Sequence, residues 1–96
     1  MRVIPAILEQ DFEMIENKVQ SAKENGLQEV QIDVADGIFV PNKTYDDLET
    51  ISKMNIKIEA HLMVADCLKQ SRLWKKAENI SRVIIHLEAL TKGEIS

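Results

Sequence analysis

A chain of 96 residues holds one domain at most. Hydrophobic residues make up 45% and charged residues 29%, which predicts a packed core and excludes a disordered chain. The net charge of -4 excludes electrostatic attraction to nucleic acid or anionic lipid, so neither is an expected partner.

Residues 3–8 form a short apolar run that predicts a buried strand, with Pro5 tolerated near its start. Pro5 interrupts the run and leaves it too short for a signal-peptide core or a membrane span. Asp11 can cap a helix over 12–25, in which Phe12, Ile15, Val19 and Ala22 step by three and four into one buried stripe. Gly26 then suits the position just past the helix end. Residues 29–34 alternate: Val30, Ile32 and Val34 share one face, and Glu29, Gln31 and Asp33 the other, which predicts a second strand. Asp36-Gly37 opens a loop through Asn42.

Thr44 and Asp47 suggest a capping box for a short helix with Leu48 and Ile51 inward, closed by Asn55. A third strand is expected over 56–64, with Ile58, Ala60 and Leu62 on one face and Lys57, Glu59, His61 and Met63 on the other. Asp66 is expected to cap a third helix that buries Leu68, Leu73 and Ala77, and 82–87 is expected to be a fourth strand. The order βαβαβαβ predicts a parallel sheet covered by helices, with right-handed crossovers. Periodicity leaves half a barrel and a small open sheet both open. Cys67 is the single cysteine and cannot form an internal disulfide, so a soluble protein of the reducing cytoplasm is the expectation.

Ligands of α/β folds bind at the C-terminal ends of the strands. Asp33, His61 and His86 stand near those ends, and Gln31 shares a face with Asp33. A carboxylate in an apolar strand needs a partner: a metal, a substrate hydroxyl or a backbone donor. Asp33 and Asp36 also admit a purely local reading, as caps of the loop backbone. On composition alone His61 reads first as a satisfied core histidine, and His86 beside Glu88 as structural. Cys67 reads as a small buried hydrophobe and Trp74 as packing. The lysine and glutamate runs read as solvated helix faces.

Four segments carry a resemblance. Pro5-Ala6-Ile7-Leu8-Glu9-Gln10-Asp11-Phe12, Ile32-Asp33-Val34-Ala35-Asp36-Gly37-Ile38-Phe39-Val40-Pro41-Asn42, Glu59-Ala60-His61-Leu62-Met63-Val64 and Ile85-His86-Leu87-Glu88-Ala89 resemble, in order, the first four strands and adjoining loops of the ribulose-phosphate 3-epimerases. The resemblance implies an α/β fold of the TIM (β/α)8 barrel family. Residues 1–96 would then be the N-terminal half of that barrel, with its first four strands and three helices.

The resemblance also implies an isomerase that inverts C3 of a ketopentose phosphate in carbohydrate metabolism. A divalent metal (zinc, iron or manganese) would be held by two histidines and two aspartates and would stabilise the enediolate. Such a cation makes a proton α to a carbonyl removable. Asp33 would be both a metal ligand and the catalytic base, and His61 a metal ligand. Gln31 stands where the family has its other histidine. The substrate side would be Ala6, in place of the usual serine, with Asp36, Gly37 and Met63. Ala35 replaces a methionine and Ile38 a histidine. The second catalytic aspartate and the phosphate loops belong to later strands.

The expected partner is thus a small sugar phosphate, with a homo-oligomer open. The alternative is a non-catalytic relative that binds a phosphorylated sugar or a protein partner. A half-length chain that dimerises into a whole barrel is the third reading, disfavoured because it demands bare strand edges.

Overall fold

The computed structural model describes residues 3–39, 41, 43–86 and 88. Four strands, β1 (Ala6–Ile7), β2 (Glu29–Ala35), β3 (Lys57–Met63) and β4 (Ile80–Ile85), alternate with three helices, α1 (Phe12–Glu24), α2 (Leu48–Ser52) and α3 (Cys67–Trp74). The strands lie in chain order in one sheet, and every neighbouring pair is parallel. This is the strand–helix alternation of a TIM-barrel N-terminal half, as expected. Among the described residues no helix is long and apolar enough to cross a membrane.

The core lies between the sheet and the helices. Val30, Ile32 and Val34 of β2 and Ile58, Ala60 and Leu62 of β3 are all buried. They meet Ile15, Val19 and Ala22 from α1, Ile51 from α2 and Cys67 and Trp74 from α3. The alternate residues therefore point to the opposite face, which would be the inside of a barrel. That face carries Gln31, Asp33, Glu59 and His61. Burying two carboxylates at its lower end requires partners. Glu29 accepts a hydrogen bond from the Ser81 hydroxyl, and Glu59 lies 3.5 Å from the Arg82 guanidinium.

The ends of α1 follow the reading. The Asp11 carboxylate accepts from Met14 N–H at 3.0 Å. At the other end Gly26 adopts φ +77°, and Gly26 and Leu27 N–H close back on the Lys23 and Ala22 carbonyls, each at 3.0 Å. That paired closure needs a left-handed residue, which glycine supplies without strain.

Several expectations are corrected. The first strand is two residues long, because the chain leaves the sheet early: the Glu9 carbonyl accepts from Tyr45 N–H at 2.8 Å instead of pairing along β2. Thr44 does not cap α2. Asp47 does so alone, through Glu49 N–H at 3.1 Å, and α2 closes at Lys53, not Asn55. The third strand is trimmed by a residue at each end.

In α3 the buried residues are Cys67, Ser71 and Trp74, while Leu73 is 40% exposed and Leu68 and Ala77 are partly covered. Five residues at about 100° each leave Leu68 and Leu73 roughly 140° apart, whereas steps of four and three keep 67, 71 and 74 on one stripe. Asp66 precedes α3 without a side-chain cap. β4 begins two residues earlier than expected and ends at Ile85, and Leu87 lies outside the described residues. The early start includes an irregularity: Ile58 pairs with Ile80 but Glu59 with Arg82, so Ser81 bulges from the ladder.

Candidate active site at the C-terminal strand ends

Parallel register decides which side chains meet. Asp33 of β2 is the direct partner of His61 of β3, and Gln31 is the partner of Ala6. Partners across a ladder point to the same face, so Ala6, Gln31, Asp33, His61 and Met63 all belong to the inner face. His61 in turn partners Ile84, which places His86, two residues on, on that side as well.

The contacts form a chain. Gln31 Nε2 donates to Asp33 Oδ1 at 2.8 Å and approaches His61 Nδ1 at 3.5 Å. His61 Nδ1 lies 3.1 Å from the same Asp33 oxygen. His61 Nε2 lies 2.8 Å from His86 Nε2, and His86 Nδ1 lies 3.6 Å from Glu88. An ionised carboxylate only accepts, so His61 carries its proton on Nδ1. In neutral His61 that leaves Nε2 as the acceptor of His86 Nε2–H. The side chains of Asp33 and His61 are 17% and 21% exposed, open enough for a ligand to reach them. The ring of Phe39, from the loop after β2, lies against His86 with centroids 5.5 Å apart.

The loop after β2 is tied down from both ends. The Thr44 hydroxyl donates to the Asp33 carbonyl and accepts from Ala35 N–H, both at 2.9 Å, and so fixes the backbone that carries Asp33. Asp36 accepts from Ile38 and Phe39 N–H with one oxygen and from Ala65 N–H with the other. Its two oxygens thus join the loops after β2 and β3. Burial acts to raise the Asp36 pKa, but these backbone donors outweigh it and hold the carboxyl below its ordinary 3.8. Gly37 takes φ +77° at the turn, as the Asp-Gly pair predicts.

Of the predicted site residues, Gln31, Asp33 and His61 come together; Asp36 and Gly37 shape the loop beside them, and Ala6 and Met63 lie on the same face. Two further residues touch the group. His86, which stands near the strand ends in the sequence but reads there as structural, meets His61 through the register set by the bulge at Ser81. Thr44 was read as a helix cap, and only the loop's return to β2 shows its role. A surface concavity of about 600 Å³ lined by Leu27, Asn55, Ile56 and Lys57 lies at the opposite end of the strands, away from these groups.

A metal ion fits this donor arrangement poorly. Metal ligands aim lone pairs at a common point. Here Gln31 presents N–H, His61 Nδ1 carries a proton toward Asp33, and His61 Nε2 is engaged by His86. Among the described residues, no three histidine, cysteine or acidic side chains gather as a metal would require.

The parallel strand–helix alternation, with a candidate polar site at the C-terminal strand ends, fits the N-terminal half of a TIM barrel. The sequence pattern of the ribulose-phosphate 3 epimerase family matches residues 2–95, and the chain belongs to that family. It is similar to the ribulose-phosphate 3-epimerase of Bacillus subtilis, with 33% identity over 69% of this chain and 32% of that protein. The ribulose-phosphate 3-epimerases of Synechocystis sp. and Chlamydia trachomatis are 32% and 31% identical over 90% and 91% of this chain, each matched over 38% of its own length. The chain therefore spans between about a third and two fifths of these relatives.

Proposed function

We propose that residues 1–96 form the N-terminal half of a sugar-phosphate barrel in which Asp33 removes the C3 proton of a ketopentose phosphate. The observation that carries this reading is the side-by-side placement of Asp33 and His61 on the inner face, at the C-terminal ends of neighbouring strands. Asp33 Oδ1 is held by Gln31 Nε2 and His61 Nδ1, and Oδ2 is the oxygen assigned to act as the base. Transfer of the C3 proton to Oδ2 leaves its electron pair delocalised towards the C2 oxygen. The proton returns to the opposite face from an acid on a later strand, beyond this chain. The family resemblance implies a divalent metal for this chemistry. The donor arrangement here does not suit one, and Asp33 as the base is what the resemblance implies.

The second reading is a non-catalytic relative that binds the sugar phosphate, and Gln31 and Ala6 favour it. Proton NMR of a pentulose phosphate in deuterated water, with the protein carrying this chain, separates the two. Loss of the C3 proton signal that Asp33→Asn abolishes supports the epimerase reading. Saturable binding without exchange supports the second. Neither binding nor exchange sinks both.

A further inference from the structure

We infer that Gln31 turns the place between Asp33 and His61 into a hydrogen-bond lock, which holds these two side chains together and excludes a transition-metal ion. An ion would need an empty point about 2.0–2.2 Å from each donor atom. The Gln31 side-chain nitrogen instead borders this pair, 2.8 Å from Asp33 Oδ1 and 3.5 Å from His61 Nδ1, close enough to clash with an ion on its side of them. The orientation of the amide is dictated by chemistry. A carboxylate has no proton to give, so Nε2 and not Oε1 faces Asp33. The N–H dipole thus brings partial positive charge beside the spot where a cation's charge would fall. His61 is closed at its other end too, because Nε2 faces His86 Nε2 at 2.8 Å.

Metal entry would require the amide to swing out, the His61 ring to lose its proton from Nδ1 or its contact with His86, and Asp33 to give up both partners. An imidazole at position 31 would reverse the first of these, since it offers a lone pair where the amide offers a proton. The effect is therefore more than a missing ligand: the amide is an obstruction, and removing it without replacement should already open the site.

This inference uses the same Asp33–His61 pair as the proposed function, but metal uptake is read without substrate and stands or falls apart from proton exchange. The experiment is zinc titration of the tag-free protein, followed by dialysis and elemental analysis, for wild type, Gln31→Ala and Gln31→His. Wild type should retain no stoichiometric zinc. Gln31→Ala should bind more tightly than wild type, and Gln31→His at least about tenfold more tightly. One zinc per chain in wild type, or either variant binding no better than wild type, overturns the inference. A second readout keeps the test intact if a variant fails to fold. Added cobalt should leave the wild-type His61 imidazole signals unbroadened, and paramagnetic broadening of them would overturn the lock.

Discussion

At the scale of single residues, the site is a set of hydrogen bonds whose directions follow from which groups can donate. His86 holds His61 by its free nitrogen, so His86→Ala should release His61 Nε2 while the Asp33 contact keeps the proton on Nδ1. Nitrogen-15 imidazole spectra check this: His61 should stay in the Nδ1–H form in the variant, and a switch to the Nε2–H form would contradict the geometry.

Asp36 makes a pH-dependent contribution. Its folded carboxyl lies below its ordinary 3.8, so the stability it adds is present above that value. It is lost as pH falls through the lower folded value. Asp36→Asn keeps an acceptor for one loop but presents an amide N–H₂ where Ala65 N–H needs an acceptor. The variant should lose about 1 kcal/mol at neutral pH and show a flatter acid limb in melting curves measured from pH 7 down to about 3. Parallel acid limbs for the two proteins would refute the assignment.

At the scale of elements, α3 separates reading from structure most sharply. Trp74 is 1% exposed and Leu73 is 40% exposed. Trp74→Ala should cost about 3–5 kcal/mol, whereas Leu73→Ala should stay within about 0.5 kcal/mol. Denaturant titration of both variants measures the contrast, and comparable losses would mean that α3 is rotated from the face described. The caps of α1 act on a smaller scale. Asp11→Ala should lower stability by about 1 kcal/mol. Gly26→Ala should destabilise through backbone strain at φ +77°, since nothing stands within 4 Å of the added Cβ to clash.

At the scale of the whole molecule, the sheet has helices on one face and the site on the other. Among the described residues β1 and β4 are its outer strands, and the inner face carries no second layer. Bare strand edges and an uncovered face favour self-association. The chain by itself should therefore sediment with a mass that rises with concentration and melt without a sharp transition. A concentration-independent monomer with a single cooperative melt would overturn this expectation.

What the sequence determined by itself was local or periodic. Alternation at 29–34 and 56–64 set which residues face the helices, because a strand's side-chain period is two wherever the strand goes. Asp11 and Gly26 announced the ends of α1, because caps are decided within a few residues. The Asp-Gly turn was legible in the same way, whereas Asp33 and His61 as a site pair came from the family resemblance and not from periodicity. What tertiary structure alone decided was non-local. The bulge at Ser81 set the register that brings His86 to His61, and the return of the loop to β2 gave Thr44 to Asp33. The two-residue length of β1 was likewise settled by a neighbour distant in sequence, whereas the buried stripe of α3 was open to reading from its spacing of four and three. The Gln31 amide belongs to both: its chemistry is written in the residue, but its place between Asp33 and His61 exists only once two strands pair in register.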